Sequence, residues 1–118
     1  MQDETWTKSE KAVARRAFDA ALDREYTALT DEVRRRANSI AEPHHIWALH
    51  DFLTRTRKDL DQKYDYRYSQ LDFVFARLIL DGWLSEAELT GLAEEKLARI
   101  RSLLDMWRED LIACPGSR

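Results

Sequence analysis

His44, His45, His50, Asp51 and Asp61 are the side chains of this 118-residue chain placed closely enough to suggest metal binding or proton transfer. A helical zinc site needs two histidines four residues apart on one face, with further donors converging on the ion. His50 follows His45 by five residues and His44 by six, so no two histidines stack on one helical face. Acid–base work by paired carboxylates needs them close together, with a nucleophile or substrate group in reach. Asp51 and Asp61 stand ten residues apart, with no glycine-rich loop or nucleophile nearby. Cys114 is the only cysteine, which excludes an internal disulfide and suits a reducing, cytoplasmic setting. The expectation is a protein with no catalytic group, no metal and no cofactor.

The same region offers a different kind of chemistry. Ile46 to Phe75 reads IWALHDFLTRTRKDLDQKYDYRYSQLDFVF, two helices meeting at Tyr64-Asp65. Trp47 and Asp51 are four apart and share a helical face, with His50 beside them. Arg57 lies six beyond Asp51, too far for a pair within one helix, so an Asp51–Arg57 pair fits better across a two-fold interface. Phe73 falls off the face made by Leu71, Val74, Phe75 and Leu78 and reads as an exposed aromatic. This mixture is too polar for plain core and too aromatic for plain surface, which is the composition of a docking surface. Plainer readings stand beside it: Trp47 as interface core, Phe73 as ordinary core, Arg99 as a solvated charge, and Tyr64, Tyr66 and Tyr68 as turn packing.

Four helices are needed to position these residues. Thr7-Lys8-Ser9-Glu10 has the capping-box pattern and opens the first. Phe18, Leu22, Tyr26, Leu29, Val33, Ala37 and Ile40 then recur at steps of three and four, a heptad-like seam. Pro43 suits the first turn of the second helix, which carries Ile46, Leu49, Leu53 and Leu60 on one face and stops near Tyr64. Asp65 is positioned to cap the third helix, which runs to about Leu80, with Gly82 at the left-handed position after it. Ser85 to Glu88 is a second capping box, opening a fourth helix through Leu89, Leu92, Lys96, Ile100, Leu103 and Trp107.

Composition agrees. Apolar residues make up 44% of the chain and only five residues are Gly or Pro, so a turn-rich β fold is excluded. The net charge is −3, with 22 acidic residues interleaved among 19 basic ones, which gives no broad basic face for nucleic acid. No apolar run approaches the roughly 20 residues that span a bilayer, and the N-terminus has no signal-peptide pattern. One domain is expected: helices 1 and 2 over 7–64 for dimerisation, helices 3 and 4 over 65–111 as a small head, and a tail at 112–118.

Length adds a physical argument. A first helix reaching from residue 8 to about 39 is roughly 45 Å long, whereas a compact domain of this size has a diameter of roughly 35 Å. The seam therefore overhangs its own domain, and a second copy is the simplest cover. The expectation is an all-α, elongated two-fold homodimer with a helical head at each end.

The order W-x-L-H-D-F-L, then Arg57, then D-x-K-Y-D-x-R, F-V-F-A and E-L-T-x-L-A, from Ile46 to roughly Ile100, resembles the fluorescence recovery proteins of cyanobacteria. The resemblance implies an all-α dimer that binds the photoactivated orange carotenoid protein, mainly through that protein's C-terminal domain. It implies faster return of that partner to its orange form, ending photoprotective quenching at the phycobilisome. It also implies an activity patch of Trp47, His50, Asp51 and Arg57 at the dimer interface, a dimer contact at Ile46, and head residues Phe73 and Arg99 linked to activity. The chain departs from the family pattern in three places: Arg99 where lysine is expected, Gly91 where a larger residue is expected, and an extension from Asp105 to Leu111. The alternative reading is a dimeric helical adaptor of the same fold serving a different protein partner.

Overall fold

The computed structural model describes residues 5–113. Cys114 and the rest of the expected tail lie outside the described residues. Among the described residues there are four α-helices and no strand: α1 (Lys8–Asn38), α2 (Pro43–Lys63), α3 (Leu71–Asp81) and α4 (Glu94–Ala113).

Local chemistry sets most of these boundaries. Thr7 Oγ1 accepts the Glu10 amide at 3.1 Å and Glu10 Oε1 accepts the Thr7 amide at 2.9 Å, closing the capping box of α1. Pro43 occupies the first turn of α2. There the reciprocal cap is a histidine: His45 Nδ1 accepts the amides of Ala41 and Glu42 at 3.0 and 3.2 Å. Gly82, at φ +90°, ends α3 in the left-handed conformation, and Trp83 N–H donates to the Leu78 carbonyl at 2.9 Å.

Two boundaries differ from the sequence expectation. Asp65 does not cap α3, which begins at Leu71. The segment before it is non-helical and ends in a turn, and its tyrosines pack on Phe18 of α1 and on Trp6 just before it. Phe18 meets Tyr64 and Tyr66 edge-on at 5.3 and 4.9 Å, and Trp6 lies 5.5 Å from Tyr68. Burial of three aromatic rings outweighs helical propensity there, and the Asp65 carboxylate is taken by Arg67 Nε at 2.8 Å. The Ser85–Glu88 capping box does form, but it opens only a 3₁₀ turn, Glu86–Leu89, and α4 starts at Glu94. Gly91, at φ +115°, interrupts the helical path between them. In α4 the buried positions are Lys96, Ile100 and Leu104.

The core lies at one end of the molecule. Ala14, Ala17, Phe18 and Ala21 of α1 pack against Leu71, Val74, Phe75 and Leu78 of α3, Leu84 and Leu89 of the connection, and Ile100 and Leu104 of α4. The three alanines let the helices approach closely. The first half of α1 therefore belongs to the head. From Leu22 to Asp59, by contrast, no residue is buried. That stretch is a helical hairpin projecting from the head. The chain measures 53 × 36 × 25 Å with a radius of gyration of 17.4 Å, well above the ~13 Å of a compact domain of this length.

Buried charges tie the head together. Lys96 Nζ lies 3.3 Å from both Glu10 oxygens and donates to the Thr5 carbonyl at 2.5 Å. Glu10 Oε2 also accepts the Ala93 amide at 2.7 Å, so one carboxylate serves the starts of both α1 and α4. Burial pushes the Glu10 carboxyl up, but the Thr7 and Ala93 amides and the Lys96 ammonium outweigh it and leave its pKa lowered.

Candidate partner-binding site

The sequence singled out two groups of residues, and the fold sets them apart. Trp47, His50, Asp51 and Arg57 all lie on α2, in the projecting hairpin. Trp47 is 64% exposed and Ile46 50%. The Trp47 and His50 rings meet edge-on at 6.1 Å, and His50 Nδ1 is 3.4 Å from Asp51 Oδ1. These three form a contiguous cluster, as their spacing predicts. Arg57 does not join it within the chain; it is exposed and makes no ion pair among the described residues.

The residues expected at an interface are also uncovered. Ile46 and Leu53 are exposed and Leu49 is half-buried. Along the α1 seam, Phe18 is buried in the head, whereas Tyr26 and Ile40 are exposed. Of the stripe read from the sequence, Leu22, Leu29 and Val33 are only half-buried and Tyr26, Ala37 and Ile40 are exposed.

A clamp of charges joins hairpin to head. Lys63, at the end of α2, donates to Glu25 Oε2 of α1 at 2.8 Å and lies 3.5 Å from Asp81 of α3. Tyr64 donates its hydroxyl to Glu25 Oε1 at 2.8 Å. Burial first, and then the Glu25 carboxylate, push the Tyr64 hydroxyl pKa up, so this group stays a proton donor.

Phe73 and Arg99 sit on the head. Phe73 is 50% exposed and lines a groove of about 650 Å³ with Val74 and Leu80 of α3 and Trp107 and Leu111 of α4. Arg99 Nη1 donates to Asp72 Oδ2 at 2.5 Å. That hydrogen bond and the Asp72 charge raise the guanidinium pKa. Asp72, only 8% exposed, was missed in the sequence because its partner Arg99 lies on another helix, 27 residues further on. The groove was missed for the same reason: its apolar walls come from two helices, with Leu80 of α3 and Trp107 of α4 standing 27 positions apart.

Among the described residues no group of three His, Cys, Asp or Glu side chains is placed to hold a metal ion. His45 uses its Nδ1 on backbone amides. No helix among the described residues is long and apolar enough to cross a membrane.

Comparison with known proteins places the chain among relatives. The family model described as photoprotection regulator fluorescence recovery protein matches residues 6–104. A fluorescence recovery protein of Synechocystis is 39% identical over 98 residues, covering 83% of this chain and 90% of the relative. The solved fluorescence recovery protein of Fremyella diplosiphon is 48% identical and superposes with a TM-score of 0.81, covering 86% of this chain and 98% of that one. The solved Synechocystis structure is 39% identical with a TM-score of 0.80, covering 83% and 96%.

Proposed function

The chain belongs to the fluorescence recovery protein family of photoprotection regulators, and from that premise we propose that it is a non-enzymatic regulator that binds the photoactivated orange carotenoid protein. It accelerates that protein's return to the orange form and so ends photoprotective quenching. It acts as a two-fold homodimer, contacts mainly the partner's C-terminal domain, and works in the cytoplasm without a cofactor.

One observation carries the proposal beyond family membership. The Trp47–His50–Asp51 cluster stands in the open on a hairpin that has no buried residue from Leu22 to Asp59. Helices without a buried face are marginal in water by themselves. A second copy laid along Tyr26, Ile40, Ile46, Leu49 and Leu53 supplies the missing burial. It also brings an Arg57 toward the Asp51 of the opposite chain, a pairing that the spacing within one helix forbids. Trp47, His50, Asp51 and Arg57 then form one patch at the interface, and Phe73 and Arg99 provide a separate contact on the head.

Such a protein makes and breaks no bonds. It speeds a conformational relaxation by binding the re-docking transition state better than the open state. Holding one partner domain while offering a second contact raises the effective concentration of the two domains. Each ~1.4 kcal/mol of such preference is worth about tenfold in rate, so two or three good contacts suffice. The test is dark recovery of the photoactivated carotenoid protein with and without this chain. Recovery should accelerate at substoichiometric dimer and lose most of that acceleration with Trp47→Ala. An unchanged rate at excess chain would refute the proposal and favour a different protein client.

A further inference from the structure

Asp72 Oδ1 is the buried side-chain oxygen that has no hydrogen-bond donor among the described residues. Leaving a charged oxygen buried and unmet is costly, and such atoms call for a reason. The other oxygen, Oδ2, has one donor, Arg99 Nη1. Arg99 lies at the opposite extreme: its side chain is 56% exposed, against 11% for Asp72. Of its five N–H groups, one is directed to Asp72, and the others meet no hydrogen-bond acceptor among the described residues. A buried anion thus grips one corner of a guanidinium whose remaining edge faces solvent. Stability alone explains this poorly, because a mostly exposed arginine compensates a buried carboxylate weakly. Asp72 also adjoins Phe73, the exposed aromatic of α3.

The local charge limits what the open edge can accept. Asp72 already balances Arg99, and Glu95, one turn earlier on α4, adds a second negative field. A third carboxylate would be repelled by both. A neutral acceptor suffers no such repulsion, and a planar N–H fork suits carbonyl oxygens.

We propose that Asp72 is a positioning residue that holds Arg99 with its free N–H edge outward, on the same head as Phe73, as a receptor for main-chain carbonyl oxygens of the client protein. This deepens the functional reading above and rests on it. Phe73 supplies apolar contact and Arg99 supplies direction. Arg99 is the group that touches the client, and Asp72 acts through it.

The test measures affinity for full-length photoactivated orange carotenoid protein at low and high salt, using wild type, R99M, R99K, D72N, D72E and the D72N/R99M double variant. R99M should weaken binding about tenfold, by the same factor at both salt concentrations, because the bonded group is neutral. D72N should weaken binding several-fold in protein whose circular dichroism is native. The double variant should bind no worse than R99M, since Asp72 has no role once Arg99 is gone. R99K should fall between wild type and R99M. If D72N does not fold, D72E, which keeps the charge but displaces the guanidinium, should show the several-fold loss. Folded D72N or D72E binding like wild type, or additive losses in the double variant, would overturn the positioning role. A loss in R99M that disappears at high salt would overturn the carbonyl assignment, since it marks a carboxylate. Failure of wild type to bind at all removes the carotenoid-protein reading and this inference with it, an outcome distinct from a variant-specific null.

Discussion

Gly91 packs directly against Val13: a Cβ on residue 91 would stand 2.9 Å from Val13 Cγ2, and the residue holds φ at +115°. The contact sets how closely the connection between α3 and α4 lies on α1. This backbone and this neighbour together favour glycine over any residue with a side chain. Gly91→Ala should destabilise the fold by about 2–4 kcal/mol, combining a strained backbone with overpacking. Chemical denaturation measures it. Adding Val13→Ala should relieve the steric part and leave the backbone part, so recovery in the double variant should be partial.

Glu10 and Lys96 form the buried pair of the head, each side chain 6% exposed. Removing one partner strands the other's charge. Glu10→Ala should cost about 3–5 kcal/mol, more than loss of the Thr7 cap alone, worth about 1 kcal/mol. Urea midpoints of Glu10→Ala and Thr7→Ala, compared at equal slope, check the order. Equal midpoints would mean that the pair contributes nothing beyond the cap.

Acid should loosen the chain from its carboxylates. Two bonds from Arg24, reinforced by Ser85, hold Glu88 down to about 2 from its ordinary 4.5, and Arg35 and Arg36 do the same for Glu32. Asp65, beside Arg67, is also lowered. A depressed folded-state pKa means that the unfolded chain takes up protons first. These groups therefore stabilise the fold fully above about pH 4.5, and that contribution drains away as pH falls toward about 2. Thermal melts across that window should show falling stability. Glu88→Gln should be less stable than wild type at neutral pH and show a shallower acid limb.

The projecting hairpin should depend on a second chain. Leu53→Glu puts a charge into the apolar stripe of α2 while touching no residue of the head core. Wild type should scatter light as a dimer at micromolar concentration, and the variant should scatter as a monomer with lower helical content. Residues in Leu22–Asp59 should exchange their amide hydrogens faster in the variant, and those of α3 should not. A monomeric wild type with a protected hairpin would refute the dimer.

Much of this protein could be read from its residues in order. Thr7 with Glu10, Pro43 and Gly82 mark helix ends through bonds only a few residues long, and the seam of α1 follows from a period of three and four. Trp47, His50 and Asp51 share a face because helical geometry puts them there, and Phe73 sits off the apolar face of α3 for the same reason. Local chemistry is visible in a sequence because both partners lie within one turn. The rest required the fold. Whether Tyr64, Tyr66 and Tyr68 continue a helix or lie against Phe18 and Trp6 depends on rings brought together from distant segments. The same holds for Glu10 reaching the start of α4, and for Asp72 meeting Arg99. Burial of a charge or an aromatic ring is a property of what surrounds it, and no spacing along a chain encodes those surroundings until the helices have packed.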